Sequence, residues 1–230
     1  SNMAKISKGN LEFIKDLSAN NDRDWFNEHK NEYLNQHEDL ISFADDLLAK
    51  MKEHDNIETI SGKKSLHRIY RDVRFSKDKS PYKTHWGGSF KRATKFLRGG
   101  YYYHIEPGNK SFIGGGFWGP NKDDLIRIRE NIALDHTELR DIITHPDFVN
   151  TFGSLQGEQL KTAPKGFDKE HPGVDLLRFK QFILGKTFTD KEVLHDDFVN
   201  AANETFKKMR PFFDYMSEIL TTDSNGESIV

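Results

Sequence analysis

Between Lys63 and His85 the chain carries eight Lys or Arg residues (Lys63, Lys64, Arg68, Arg71, Arg74, Lys77, Lys79 and Lys83) against two Asp, Asp72 and Asp78. The protein as a whole has a formal net charge of −2, so the positive charge here is local. Charge segregated in this way serves either an anion-binding surface or a network of ion pairs. A guanidinium offers a planar fork of donors that matches phosphate or carboxylate, and a lysine offers a point charge. Read as a strand, Ile69, Arg71, Val73 and Phe75 share one face, and Arg68, Tyr70, Asp72 and Arg74 share the other. Arginines on both faces of one short strand put at least one against the core, where solvation does not hold it. This favours an anion pocket over ion pairs of Asp72 and Asp78 with solvated lysines. Ser76 to Pro81 then reads as a loop whose backbone N–H groups and lysines can turn toward an anion. The expected anion-binding set from this segment is Arg68, Arg71, Arg74, Lys77, Lys79 and Lys83.

A second group, Lys161, Lys165, His171, Asp175 and Arg178, lies farther along the chain. Lys161, Lys165 and Arg178 extend the expected anion-binding set. His171 and Asp175 are four apart and share a face if the intervening residues are helical, which suits an oriented general base. The competing reading makes His171 a helix cap ahead of Pro172. The acid–base candidates are thus Asp72, His85, His171 and Asp175. No third ligand adjoins His171 and Asp175 in sequence, so no metal site is expected, and the sequence names no cofactor. His67, His85 and His104 gather near the basic segment if their strands are neighbours. His29 and His37 fall on an apolar stripe and read as core. Gly114-Gly115-Gly116 lacks the Gly-Lys-Ser/Thr of a phosphate loop and does not open a helix, so it reads as a tightly packed strand.

The elements that must position these groups follow from period. Apolar residues recur at helical spacing from Trp25 to Met51, with Asp22 or Asp24 as cap and a shorter helix around Leu11 to Leu17 before it. A second such stripe runs from Phe198 to Leu220 and is interrupted by Pro211. Between them the period is two. Tyr101, Tyr103 and Ile105 alternate with Tyr102, His104 and Glu106, Pro107-Gly108 forms a turn, and 112–118 returns as the partner strand. Residues 69–75, 86–93, 158–162 and 179–188 read as further strands, and a helix opening at Pro120-Asn121 continues toward Ile143. His145-Pro146-Asp147 reads as a break. These elements predict an α+β protein with a central antiparallel sheet and long helices at both ends, as a single domain over 3–222. Residues 1–2 read as a tag remnant, and 223–230 as a flexible tail.

Composition narrows the function classes. Charged residues make up 30% and hydrophobic residues 35%, and 18 Phe, 7 Tyr and 3 Trp provide for a core. There is no cysteine, which excludes disulfides, thiolate nucleophiles and Cys-based zinc sites. No apolar run is long enough to cross a membrane, so the expectation is a cytoplasmic protein without a membrane partner. The expected ligand is an anionic small molecule, bound through phosphate or carboxylate, and the sequence leaves open whether the protein is an enzyme acting on it. The alternatives are a nucleic-acid-binding module, which the negative net charge disfavours, or a protein-interaction module.

Four stretches carry a family likeness. They are Asn20-Asn21-Asp22-Arg23-Asp24-Trp25-Phe26, the run from Arg68-Ile69-Tyr70-Arg71-Asp72 to Ser80-Pro81-Tyr82-Lys83, Ile113-Gly114-Gly115-Gly116, and Lys161-Thr162-Ala163-Pro164-Lys165-Gly166-Phe167. Together with His171-Pro172 and Leu176-Leu177-Arg178 they resemble the conserved hypothetical proteins grouped as domain of unknown function 2461. The resemblance implies a single α+β domain over nearly the whole chain and assigns no catalytic residue.

Overall fold

The structure, a computed structural model, describes residues 3–230; Ser1 and Asn2, read above as a tag remnant, lie outside the described residues. The elements in order are α1 (Lys8–Ala19), α2 (Arg23–Glu28), α3 (Lys30–Lys52), α4 (Gly62–Ser65), β1 (Trp86–Lys91), β2 (Gly100–Ile105), β3 (Ser111–Phe117), α5 (Lys122–Leu134), α6 (Thr137–Thr144), α7 (Pro146–Phe152), α8 (Val174–Leu177), β4 (Phe182–Phe188), α9 (Asp190–Val193), α10 (Phe198–Lys208) and α11 (Arg210–Thr221). The four strands form one antiparallel sheet in the order β1-β2-β3-β4, so the α+β class expected from the sequence is the one observed.

Helix starts follow local capping chemistry. Ser7 and Asn10 form a reciprocal capping box at α1, Asp22 accepts from the Trp25 N–H at 2.8 Å, and Asn121 accepts from the Asp124 N–H at 2.8 Å. Three apolar stripes are each divided, the second at the interruption expected from Pro211. The first breaks at His29, whose ring stacks on Trp25 at 3.9 Å and whose Nδ1 lies 2.7 Å from the Trp25 carbonyl, in competition with the helical ladder. The second breaks at Met209, because Pro211 cannot donate back to the preceding turn. The third breaks after Leu134, where Asp135 takes the Thr137 N–H at 2.9 Å.

Other expectations are corrected. Residues 69–75 are not a strand of the sheet; they hold one isolated bridge, Tyr70 to Tyr82. Residues 158–162 hold a single bridge, Gln159 to Phe179. The expected break at His145-Pro146-Asp147 is present and narrow: His145 ends α6 and caps α7, with Pro146 in the first turn of α7. The segment after Thr221 carries one isolated bridge, Thr222 to Ser228.

The chain divides into two compact units. The first holds the described residues up to Phe90 together with Tyr102–Ile113 and Thr187–Glu204; the second holds Lys91–Tyr101, Gly114–Lys186 and Thr205–Val230. The first unit is built on aromatic packing. Phe26 stacks on Tyr82 at 4.2 Å, Tyr33 on Trp86 at 5.6 Å, and Phe43 on Phe198 at 5.6 Å. The buried Trp86 Nε1–H donates to the Asn10 carbonyl at 3.0 Å, which ties β1 to α1. Its β-turn takes φ +86° at Gly108 and +63° at Asn109, and Asp190 accepts both backbone N–H groups at 3.0 Å. The second unit packs α11 against α5 and α6. There the glycines of β3 serve close approach: a Cβ on Gly115 would lie 2.4 Å from the Met209 sulfur, and one on Gly116 2.1 Å from the Phe182 carbonyl oxygen.

Candidate functional site

The basic segment is held against the first unit as an irregular hairpin. Leu66 bridges Gly88 and Tyr70 bridges Tyr82, both antiparallel. Between these bridges one arm has three residues, 67–69, and the other five, 83–87. The two extra residues make the second arm bulge, which turns out the Lys83-Thr84-His85 corner. The Arg71 N–H donates to the Pro81 carbonyl at 2.9 Å and the Lys83 N–H to the Ile69 carbonyl at 2.7 Å, which fixes the base of the loop 72–80. Asn21 clamps the other side: its Nδ2 donates to the Tyr82 carbonyl at 2.9 Å and its Oδ1 accepts from the Tyr82 N–H at 3.0 Å. Each such bond contributes about 1 kcal/mol net, so Asn21→Ala should lower stability by about 2 kcal/mol in urea denaturation.

This arrangement encloses a cavity of about 340 Å³ lined by Ser18, Asn21, Arg71, Asp78, Ser80, Tyr82, Lys83, Thr84 and His85. A second cavity of about 340 Å³ adjoins through the shared Asn21 and Arg71 and is lined further by Tyr70, Val73, Lys79 and Pro81. Cavities of about 410 Å³ beside α9, with Lys191 and His195 on its wall, and about 430 Å³ beside α11, with Arg127, are as large, but the Arg71 cleft sets two cations, Arg71 and Lys83, beside its histidine. The Arg71 cleft is therefore singled out by its chemistry, not its size.

The expected residues fare differently. Arg71, half-buried, donates from Nη1 to the carbonyls of Ser80 at 2.8 Å and Asp78 at 3.3 Å, and so braces the loop as well as lining both cavities. Arg74 is paired with Asp72 through Nε at 3.0 Å and Nη2 at 2.8 Å on the open surface. The pair holds the Asp72 carboxyl below its usual range and occupies it. Lys79 donates to the Val73 carbonyl at 2.7 Å. Arg68 and Lys77 are exposed. Lys83 donates to the Arg68 carbonyl at 2.6 Å and has no carboxylate partner among the described residues; burial pulls its pKa down.

Lys161, Lys165, His171, Asp175 and Arg178 belong to the second unit. The spacing of His171 and Asp175 does not make a pair, because α8 starts at Val174, beyond His171. His171 instead accepts from the Gly173 N–H at Nδ1 (2.9 Å) and donates from Nε2 to the Ala133 carbonyl (2.8 Å). Asp175 accepts two bonds from Arg140 at 2.6 and 2.8 Å, and Arg178 donates to the Leu160 carbonyl at 2.8 Å. Lys161 and Lys165 are exposed.

The histidines of the first unit do gather, because β1 and β2 are sheet neighbours. The His85 and His104 rings stack at 4.1 Å. His104 meets Glu106 Oε1 from Nε2 and Tyr102 Oη from Nδ1, each at 2.7 Å. His67 stacks over Tyr102 at 5.9 Å and bonds the Ser89 hydroxyl at 2.8 Å. Burial first, then the neighbouring His104, Lys83 and His67, push the His85 pKa down to about 3. His85 is thus neutral throughout the physiological range, a lone-pair donor too weak for efficient general-base catalysis near neutral pH. Glu106 and Asn21 were not expected from sequence; only the alternation of β2 pointed to Glu106.

These observations define an α+β protein with a polar cleft on a bulged hairpin, with His85 on the cleft wall and His104 stacked on His85. The chain matches the family model described as "Conserved hypothetical protein (DUF2461)" over residues 10–215, and it belongs to that family. No curated protein and no solved structure matches it. No helix among the described residues is long and apolar enough to cross a membrane.

Proposed function

We propose that the protein binds an anionic small molecule, through a phosphate or carboxylate group, in the cleft between Arg71 and Lys83. The observation that carries this reading is Lys83: a partly desolvated ammonium on a cavity wall, with no carboxylate partner among the described residues. Such a cation gains most from a bound anion, which restores the interactions lost with water. Arg71 lines the cavity beside it, and Thr84 adds a hydroxyl that can donate, whereas the Ser18 and Ser80 hydroxyls are given to the Ile14 carbonyl and the Asp78 carboxylate. The adjoining cavity, walled by Tyr70 and Pro81, provides room for the body of a ligand whose charged group sits at Lys83. If the protein turns this ligand over, the acid–base group is not Asp72, which Arg74 occupies.

Calorimetric titration against phosphate, sulfate, sugar phosphates, nucleotides and di- and tricarboxylates tests the reading. A selective ligand is expected, and Lys83→Met should weaken it about 10- to 100-fold, the loss of one charge-assisted hydrogen bond. A panel with no binder, or a Lys83→Met variant that binds as tightly as the parent, overturns it.

One feature favours a nucleic-acid partner instead. Phe75 is 94% exposed at the loop tip, with the Arg74 guanidinium 5.6 Å from its ring centroid, and Tyr70 is 55% exposed nearby. An exposed aromatic among cations is a base-stacking element. Single-stranded oligonucleotide binding that falls steeply with salt would support this second reading.

A further inference from the structure

We propose that His85, His104 and Glu106 form a binding site for a divalent transition-metal ion of the zinc class. The inference does not depend on the anion reading. Tyr102, His104 and Glu106 alternate at the end of β2 and so share one face. The bulge after Lys83 brings His85 over the same face. One ligand atom from each of His85, His104 and Glu106 lies within 4.8 Å of the others. Two imidazoles and one carboxylate make a donor set used by catalytic zinc and related ions, which keep further coordination positions open. Here an open position would face the cavity that His85 lines.

The contacts around the three residues have the form of a ligand support. With Nδ1–H donating to Tyr102 Oη, His104 turns the lone pair of Nε2 toward Glu106 Oε1, 2.7 Å away, so that both atoms can ligate one ion seated to the side of the line that joins them. In the other tautomer Tyr102 donates, and a proton on Nε2 bridges to Glu106. Metal uptake thus displaces that proton, and the imidazole and carboxylate part slightly to admit the ion. Phe112 stacks on His104 at 4.5 Å and closes its far face. Gly87 clears the space: a Cβ there would lie 2.9 Å from Tyr102 Oη and 3.3 Å from His85 Cδ2.

Folding alone does not explain the cluster. His85 is half-buried, yet neither ring nitrogen has a hydrogen-bond partner among the described residues, and its ring rests on a second imidazole. Apolar side chains would pack there without the cost of desolvating polar nitrogens. Lys83 opposes a cation at this place, and the Glu106 carboxylate offsets it.

The test is metal retention by the full chain. Protein incubated with Zn²⁺, Co²⁺ or Mn²⁺ and freed of excess by gel filtration should hold one ion per chain by elemental mass spectrometry. Its Co²⁺ form should show the visible absorption of nitrogen and oxygen ligation, a readout that needs no variant. His85→Gln breaks no hydrogen bond present in the structure and should fold, yet lose retention. Tyr102→Phe, which keeps the ring and removes the supporting hydroxyl, should weaken affinity about tenfold. Failure to retain any of the three ions, or equal retention by His85→Gln and Glu106→Gln, overturns the site. Metal retained without any anion binding leaves this site standing and removes the anion reading; the reverse result does the opposite.

Discussion

Gly88→Ala should destabilise the protein by about 3 kcal/mol or more, at the upper end of what overpacking a core costs. Gly88 sits in the middle of β1, where a Cβ would lie 2.1 Å from Tyr103 Oη, 2.3 Å from Tyr103 Cζ and 2.8 Å from the Ser65 carbonyl oxygen. None of these atoms can yield. Tyr103 is fully buried, wedged between Phe43 at 5.8 Å and Phe90 at 5.4 Å. Its hydroxyl shares a 2.6 Å hydrogen bond with Ser65 Oγ, which also donates to the Gly62 carbonyl at 2.6 Å. Moving the ring strands a buried hydroxyl, and moving the strand breaks the Leu66–Gly88 bridge that holds one end of the basic hairpin. Gly119→Ala is the control, since a Cβ there meets nothing within 4 Å. Urea midpoints separate the two: the first variant should fall far below the parent and the second should stay with it. Equal midpoints would mean that β1 does not pack on Tyr103 as described.

The same hairpin shows what a single sequence reveals and what it hides. The β2–β3 pair was legible because its alternation is local and its turn carries a glycine that takes positive φ. The caps Asp22 and Asn121 were legible for the same reason, since each acts on N–H groups within three residues. Residues 69–75 alternate as well as β2 does, yet they do not join the sheet. Asp72 draws in both the Arg74 backbone N–H (3.3 Å) and its guanidinium, and this curls the chain into a turn before a ladder can extend. No periodicity records that competition. Charge composition pointed to the segment and not to single residues, because it cannot tell an arginine spent on a neighbouring carboxylate from a lysine left without one. The histidine cluster depended on which strands are neighbours, and that is set by long-range pairing. His171 and Asp175 had suggestive spacing, but the helix that would align them begins after His171.

Arg71→Met should lose both loop order and ligand affinity, and the two losses can be measured apart. Arg71 is the one cation that lines both adjoining cavities. Its Nη1 donates to the Ser80 carbonyl at 2.8 Å, and Nη2 reaches Ser76 Oγ at 3.4 Å, so part of its donor fork is already committed to the loop. Removing those bonds should cost about 1–2 kcal/mol of stability, since water can replace them only in part, and should speed amide exchange over residues 76–81. Removing the guanidinium from the cleft should also weaken the anion about 100-fold, roughly the value of a charge-assisted pair with two donors. Arg74→Met serves as the comparison, because Arg74 is equally charged and close in sequence but spent on Asp72 in open solvent, where such pairs add little. It should leave both readouts near the parent. If both variants weaken binding alike, the ligand senses the segment's charge and not a pocket, which favours the nucleic-acid reading through the exposed Phe75. If Arg71→Met frees the loop but binds as before, the guanidinium is a brace, and Lys83 alone carries the anion.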